Sequence, residues 1–370
     1  MEIILNDEEK NKQELDDLRK QIDEIDDDIV DLLNKRANTV LKIGNLKKSL
    51  NIETFQPKRE EEVKERIKNK STIFKKRSLD AIWNEIMSAS KLIQGTITKV
   101  GYLGPMGTFT HQAALEFFPK AGTQFIPCDS MAEIFSGIEK GLLEFGIVPF
   151  ENSLQGTVRE TLDLLIENDL FIYGELDVRV IQNLISLKNA ELSDVKNVFS
   201  HPQAFAQTRI WLKSNLPNAK ISEVTSTAEA VRRIRKLDDK SYAAIGTEFA
   251  ANIYELKVLN TNIEDEKSNY TRFLIISKKE NPLKAEKMKT SIVFITKHVP
   301  GALYWVLKIF SDANINLSKI ESRPRRKGKW EYIFFMDFEA DKKDPKAAKA
   351  LEQMKANVIW QKILGTFPVK

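Results

Sequence analysis

Arg36 falls where an apolar residue is due. Leu15, Leu18, Ile22, Ile25, Ile29 and Leu32 recur at alternating three- and four-residue spacing, the seam of a coiled-coil-like helix, and the next step lands on that arginine. Lys47 follows about three turns later on nearly the same face, and Arg19 lies beside the seam earlier on. A cation on an apolar stripe costs several kcal/mol unless an anion meets it or its stem carries it back to water. Ser90 and Gln94 extend the inward face of Trp83 and Met87, and Arg59 and Glu60 open a further helical stretch. Cations and polar groups on inward stripes suit an anionic guest.

Downstream motifs have another character. GYLGPMGTFT sets a glycine-rich turn before a helix starting near Thr108, where exposed amides bind anions. Pro105 within the turn and the missing G-x-G-x-x-G spacing exclude a dinucleotide fingerprint. GIVPFENSLQGTV carries Glu151, Asn152 and Ser153, VFSHPQAFAQ carries Ser200 and Gln207, and SNYTRFLII carries Thr271, Arg272 and Phe273. These put small polar groups at strand ends, where open α/β sheets bind ligands. Ser200-His201 invites a hydrolase reading, but no G-x-S-x-G elbow is present, and His201 reads as structural. Near the end, Gly301, Ala302 and Leu303 start a helix after a strand, and NINLSKIESRP follows with Asn316, Leu317, Glu321, Ser322, Arg323 and Pro324. Gly301 lets a ligand approach the backbone, and Glu321 and Arg323 suit an ion pair across subunits.

The elements that must position these residues change grammar twice. Residues 11–95 read as helix only, with a first helix beyond 30 residues, a restart at Gln56-Pro57 and a third helix on Leu79, Ile82, Trp83, Ile86, Met87 and Ile93. So small a unit buries its stripe best against a second copy, which predicts a homodimer or higher even oligomer. From Lys99 strands and helices alternate, the pattern of α/β architecture. Lys278–Thr290 reads as a solvated linker, and the remainder spells βαββαβ, a ferredoxin-like α+β order. The domains fall at 11–97, 98–280 and 289–370.

Composition narrows the class. The 57 basic and 53 acidic residues are interleaved, which argues against a nucleic-acid partner. One cysteine and three histidines offer neither a disulfide nor a zinc site, so no metal is expected. The acidic start lacks a signal-peptide pattern and no run spans a membrane, so a cytoplasmic setting is expected.

The helical motifs LRKQID, NKR, GNLK, KRE and SASKLIQ together resemble the all-helical chorismate mutases. The resemblance implies that Arg19 (from a partner subunit), Arg36 and Lys47 clamp the carboxylates of chorismate. Lys47 and Gln94 would then donate to its ether oxygen, and Glu60 would accept from its ring hydroxyl. Gln56, Arg59 and Ser90 complete that set. The four α/β motifs, from Thr108 to Thr271-Arg272-Phe273, resemble prephenate dehydratase, which implies a two-lobed, periplasmic-binding-protein-like domain. There Thr271 would be proton donor or relay, and Asn152, Ser200, Gln207 and Arg272 would bind substrate. The terminal motifs resemble the ACT domain attached to such enzymes, with phenylalanine as expected allosteric inhibitor. No cofactor is implied. Arogenate in place of prephenate, and a non-catalytic ligand sensor, are the alternative readings; a mutase–dehydrogenase fusion lacks its dinucleotide motif.

Overall fold

The computed structural model describes residues 2–50, 57–70, 72–324 and 332–369, so Gln56 and the basic run after Pro324 lie outside the described residues. Contacts divide the chain into two compact units, Met1–Ile97 and Thr98–Lys370.

The first unit holds α1 (Glu2–Ser49), α2 (Pro57–Lys68) and α3 (Lys76–Ile93). At 48 residues α1 runs about 72 Å. Helix α3 packs on α2 and on the C-terminal part of α1, where Gly44 admits the Gln94 side chain; a Cβ there would lie 3.1 Å from Gln94 Nε2. Among the described residues of this unit nothing covers the seam of α1, where Leu15, Leu18, Ile22, Ile25, Ile29 and Leu32 are each about half exposed.

In the second unit, a first lobe comprises β1 (Thr98–Leu103), α4 (Phe109–Phe117), β2 (Thr123–Cys128), α5 (Met131–Glu139), β3 (Phe145–Asn152), β4 (Gly156–Thr157), α6 (Arg159–Glu167) and β5 (Phe171–Arg179). The chain then crosses to a second lobe of β6 (Asn183–Ser186), β7 (Asn197–Ser200), α7 (Pro202–Gln207), α8 (Arg209–Asn215), β8 (Lys220–Glu223), α9 (Thr227–Leu237), β9 (Tyr242–Gly246), α10 (Glu248–Ile253) and β10 (Lys257–Asn260). It returns as β11 (Tyr270–Ser277), antiparallel between β3 and β5. The two sheets run β2-β1-β3-β11-β5 and β10-β6-β9-β7-β8. The outward and return crossings bond to each other, Val180 N to Asn269 O at 2.9 Å and Ile263 N to Gln182 O at 2.9 Å.

A third sheet of β12 (Met288–Thr296), β13 (Leu317–Pro324), β14 (Tyr332–Phe338) and β15 (Val358–Pro368), with α11 (Ala302–Asp312) and α12 (Pro345–Lys355), has the order β13-β14-β12-β15. That is the expected βαββαβ module. Its two faces follow the strand period of two. Ile292, Phe294, Met336 and Phe338 pack under the helices, while Val293, Phe335, Leu364 and Phe367 join Phe150, Leu162, Leu165 and Ile172 of the first lobe in one core. The contact is close enough that a Cβ on Gly365 would lie 2.2 Å from the Ile172 carbonyl oxygen.

The linker reading of Lys278–Thr290 fails at its end. Strand β12 already starts at Met288, and Lys289 and Thr290 are buried. Lys289 meets Glu175 and the Thr290 hydroxyl donates to Ala340 O, so a lysine that reads as solvated is internal because an acid awaits it.

Asp337, on the face toward the first lobe, is 2% exposed and accepts from the Ser291 hydroxyl at 2.5 Å. Burial pushes its carboxyl up to about 6, with Glu175 adding to the rise and Ser291, Lys289 and Lys319 opposing it. Because the native state holds this proton more tightly than the unfolded chain, stability is lost as pH rises from about 4 through 6, a penalty on the order of 3 kcal/mol. Asp337→Asn should therefore match wild type near pH 3.5, exceed its Tm increasingly between about pH 4 and 6, and keep a constant lead above about pH 7, as followed by calorimetry. A gap independent of pH would contradict this.

Candidate active sites and sensor pocket

On the helical unit, α1 and α3 bring Arg36 and Ser90 together. The Arg36 guanidinium donates to Ser90 Oγ, which itself donates to Ile86 O at 2.7 Å. Burial lowers the Arg36 pKa from its ordinary value, the mark of a cation short of water. Gln94 Nε2 donates to Val40 O at 2.8 Å on the same stretch of α1, and Lys47 is half-buried one turn beyond Gly44. Glu60 pairs with Lys91 at 2.8 Å, a residue the motif reading passed over although it lies inside SASKLIQ. Two expected members stand apart. Arg59 pairs outward with Glu62, and Arg19 is exposed beside Asp16, about 25 Å along the helix from Arg36. Arg19 therefore cannot share a pocket with Arg36 of its own chain.

In the two-lobed domain, β3 and β11 align Asn152 with Thr271 and Glu151 with Arg272. Alternation sends the first pair to one face and the second to the other. Asn152 is buried; its Nδ2 donates to Thr271 Oγ1 at 3.0 Å, to Asn269 Oδ1 at 2.7 Å and to Tyr270 O at 3.1 Å. Its Oδ1 accepts from the amides of Leu154 and Gln155. The amide thus fixes Thr271 from behind, and because Thr271 Oγ1 accepts this bond its own hydrogen is left to donate elsewhere. Ser153 Oγ donates to Ser268 O and accepts from Tyr270 N, closing the same corner.

A second polar group lies on the crossings. Gln207 at the end of α7 accepts from Gln182 Nε2 at 3.0 Å, and the Gln182 backbone N–H donates to Glu264 Oε2 at 3.0 Å. Gln182 Oε1, Gln207 Nε2, Glu264 Oε1 and Asn269 Nδ2 are buried without a hydrogen-bond partner, although Arg179 stands 3.8 Å from Glu264 Oε1. Buried polar atoms left open in this way mark a place for a ligand or water. Gln182 and Glu264 lie outside every motif because they sit on irregular crossings with no periodic signal, whereas Asn269 lies inside SNYTRFLII, just ahead of the residues singled out there.

Four expectations change. Arg272 is not open to a substrate carboxylate, since its guanidinium meets Asp177 at 3.0 Å, Glu151 at 3.7 Å and Glu175 at 3.9 Å. Glu151 is likewise held by Lys319 at 2.6 Å. Phe273 is core, 1% exposed. Thr108 caps α4: its hydroxyl accepts from His111 N and donates to Leu103 O. The glycine turn before it is a joint between lobes. Gly107 (φ +94°) faces Ala250, its carbonyl accepts from Thr247, and the Tyr254 hydroxyl donates to Met106 O. Burial pushes the His111 imidazole down to about 4, so as a neutral ring it accepts from Gly107 N and stacks on Tyr102. Ser200 is fully buried, donating to Ile245 O, and His201 caps α7.

The third sheet carries an open hollow of about 570 Å³ lined by Thr296–Tyr304, including Gly301, Ala302 and Leu303. Gly301 caps α11 at φ +81°. Asn316, Leu317 and Glu321–Pro324 do not line it. Glu321 and Arg323 find partners inside the chain, Glu321 with Thr157 and Lys319, Arg323 with Asp163 at 2.6 Å and Arg159 O at 2.7 Å. Ser322 and Pro324 are exposed, and Asn316 O accepts from Glu339 N.

A helical unit with a part-buried cation, a two-lobed α/β domain with a polar cluster at its crossings and a ferredoxin-like sheet with a small hollow define a multidomain enzyme bearing a ligand-sensing module. Comparison with known proteins makes this specific. Residues 18–95 match the model of chorismate mutase type II, 100–281 that of prephenate dehydratase and 290–356 that of the ACT domain. A bifunctional chorismate mutase/prephenate dehydratase of Aquifex aeolicus is 41% identical over 96% of this chain and 98% of its own length. A prephenate dehydratase of Methanocaldococcus jannaschii is 38% identical over 72% of this chain and 97% of its own. The structure of prephenate dehydratase from Arthrobacter aurescens in complex with L-Phe superposes with a TM-score of 0.67 at 32% identity, covering 74% of this chain and 90% of that one. The chain belongs to the bifunctional chorismate mutase/prephenate dehydratase family.

Asn152→Ala should cut dehydratase kcat by about 100-fold, the scale of one lost preorganised donor, while mutase turnover holds. Separate assays from prephenate and from chorismate measure this, and an unchanged dehydratase rate would remove Asn152 from the site.

Proposed function

We propose that the chain converts chorismate to prephenate on its helical unit and prephenate to phenylpyruvate in its two-lobed domain, with phenylalanine bound at the third sheet lowering the flux. The observation that carries this reading is the presence, in one chain, of the Arg36–Ser90 face and of the Asn152–Thr271 pair.

The first step is an intramolecular pericyclic rearrangement. Its catalyst must hold a dicarboxylate in a compact conformer and stabilise charge on the breaking ether oxygen. Arg36 and Lys47 supply cations on a half-buried face and Gln94 an amide beside it. Arg19 reaches that face only from a second copy, whose α1 would also cover the exposed seam, so the active unit is a homodimer or a higher even oligomer.

In the second step the ring carboxylate leaves as carbon dioxide, its electron pair enters the ring, and the 4-hydroxyl departs with one proton as water. Aromaticity drives the change, so the protein has only to orient the breaking bonds and assist the hydroxyl. Thr271, polarised by Asn152, has its hydrogen directed at that task. Arg272 acts behind the strand, and Gln207 with the open ends of Gln182 and Glu264 offers the polar groups for the rest of the substrate. The L-Phe-bound relative supports phenylalanine as effector. Gly301, Ala302 and Leu303 would form one wall of its pocket, and Asn316, Leu317 and Glu321–Pro324 of another copy the other.

Purified protein given chorismate should accumulate phenylpyruvate through prephenate, more slowly with phenylalanine present; a parallel reaction with arogenate tests the alternative substrate. Thr271→Ala should stop the reaction at prephenate, with dehydration down by roughly 100-fold or more. Arg36→Ala should abolish prephenate formation while circular dichroism retains its helical signal. Failure of wild type to consume chorismate would refute the proposal.

A further inference from the structure

The face of β11 that points away from Thr271 carries a partly buried set of ion pairs. Arg272 stands between its cross-strand neighbours Glu151 and Asp177, with Glu175 two residues along β5. Three carboxylates around one guanidinium leave two negative charges over. The third sheet supplies two cations for them, Lys319 Nζ of β13 at 2.6 Å from Glu151 Oε1 and Lys289 of β12 on Glu175 Oε1, and shares the first of these with its own Glu321. The lysine side chains are only 10% and 7% exposed, so solvent screens them weakly. Lys319 also donates to Thr157 Oγ1 at 3.0 Å, lies 3.3 Å from Glu321, and sits 5.3 Å over the Phe150 ring.

We propose that Lys319 is a positioning residue for the dehydratase reaction, acting through Glu151 on Arg272; this rests on the dehydratase reading above. The argument is geometric. Glu151 and Asn152 are consecutive on β3, Arg272 and Thr271 are consecutive on β11, and they form adjacent cross-strand pairs. The spacing of the charged pair on one face therefore sets the spacing of the reacting pair on the other, with no flexible element between. With Lys319 present, Glu151 is neutralised and Arg272 makes its close contact with Asp177. Without it, a half-buried carboxylate lacks its nearest cation and draws the guanidinium toward β3. Displacement of a catalytic group by about 1 Å costs up to roughly 100-fold in rate. Since β13 also carries Glu321, the same lysine ties the register of the catalytic strands to the sensing sheet.

Steady-state kinetics on the full chain test this, with wild type measured first from chorismate and from prephenate. Lys319→Met should lower dehydratase kcat by about tenfold or more with KM for prephenate changed less than about threefold, and leave mutase turnover alone. Lys319→Arg should retain kcat. Adding Glu151→Gln to Lys319→Met removes the uncompensated carboxylate beside Arg272, while Glu321 keeps the Thr157 hydroxyl, and should recover most of the lost kcat, a rescue that general loosening of the sheet would not show. An unchanged kcat in Lys319→Met, a loss confined to KM, or no recovery in the double variant would overturn the proposal. If the single variant is insoluble the double variant decides, with kcat within about threefold of wild type in favour and a tenfold loss against. A wild type that makes prephenate but no phenylpyruvate would instead remove the dehydratase reading on which the proposal stands.

Discussion

An ionised group taken out of water must be met by its opposite, and in this protein that requirement shapes both catalytic regions. In the two-lobed domain Glu151, Arg272 and Asp177 lie side by side across three strands, with Lys289 and Lys319 reaching in from another sheet. Breaking such a set by removing one partner costs several kcal/mol, whereas an apolar set of similar volume would cost little or even stabilise. In the register observed, each of these charges meets its opposite beside the pair Asn152 and Thr271.

The division of faces on β11 follows from the strand period. Neighbouring residues point to opposite faces, so within a single tripeptide Thr271 meets Asn152, Arg272 joins the charge set and Phe273 enters the core. The crossings add a second constraint. They bond to each other, and they carry buried polar ends that have no protein partner, on Gln182, Glu264 and Asn269. The joint between lobes therefore leaves buried polar atoms open to a guest or to water.

The two reactions share a logic. Neither needs a nucleophile: one is a rearrangement within the substrate, the other an elimination that ends in an aromatic ring. Both ask for fixed dipoles and cations rather than reactive groups, and the described residues offer these. Arg36 bonded to Ser90, Gln94 lodged over Gly44, and Thr271 backed by Asn152 are all side chains whose orientation is set by a neighbour before any guest arrives.

Much of this was legible from the residues. Helical spacing revealed the length and apolar seam of α1, and Arg36 stood out because a cation interrupts an oily period. The βαββαβ order and the small polar motifs at strand ends were equally local signals. What spacing could not tell was which partners would meet. Lys289 read as linker and proved internal. Glu321 and Arg323 read as partners across subunits, yet pair with Thr157, Lys319 and Asp163 in their own chain. Arg272 read as a substrate clamp and proved a strand anchor. Local sequence determines period, caps and turn geometry, because those depend on neighbours within a few residues. The partner of a charged side chain depends on strands more than a hundred residues apart coming into register, and only the folded structure decides that.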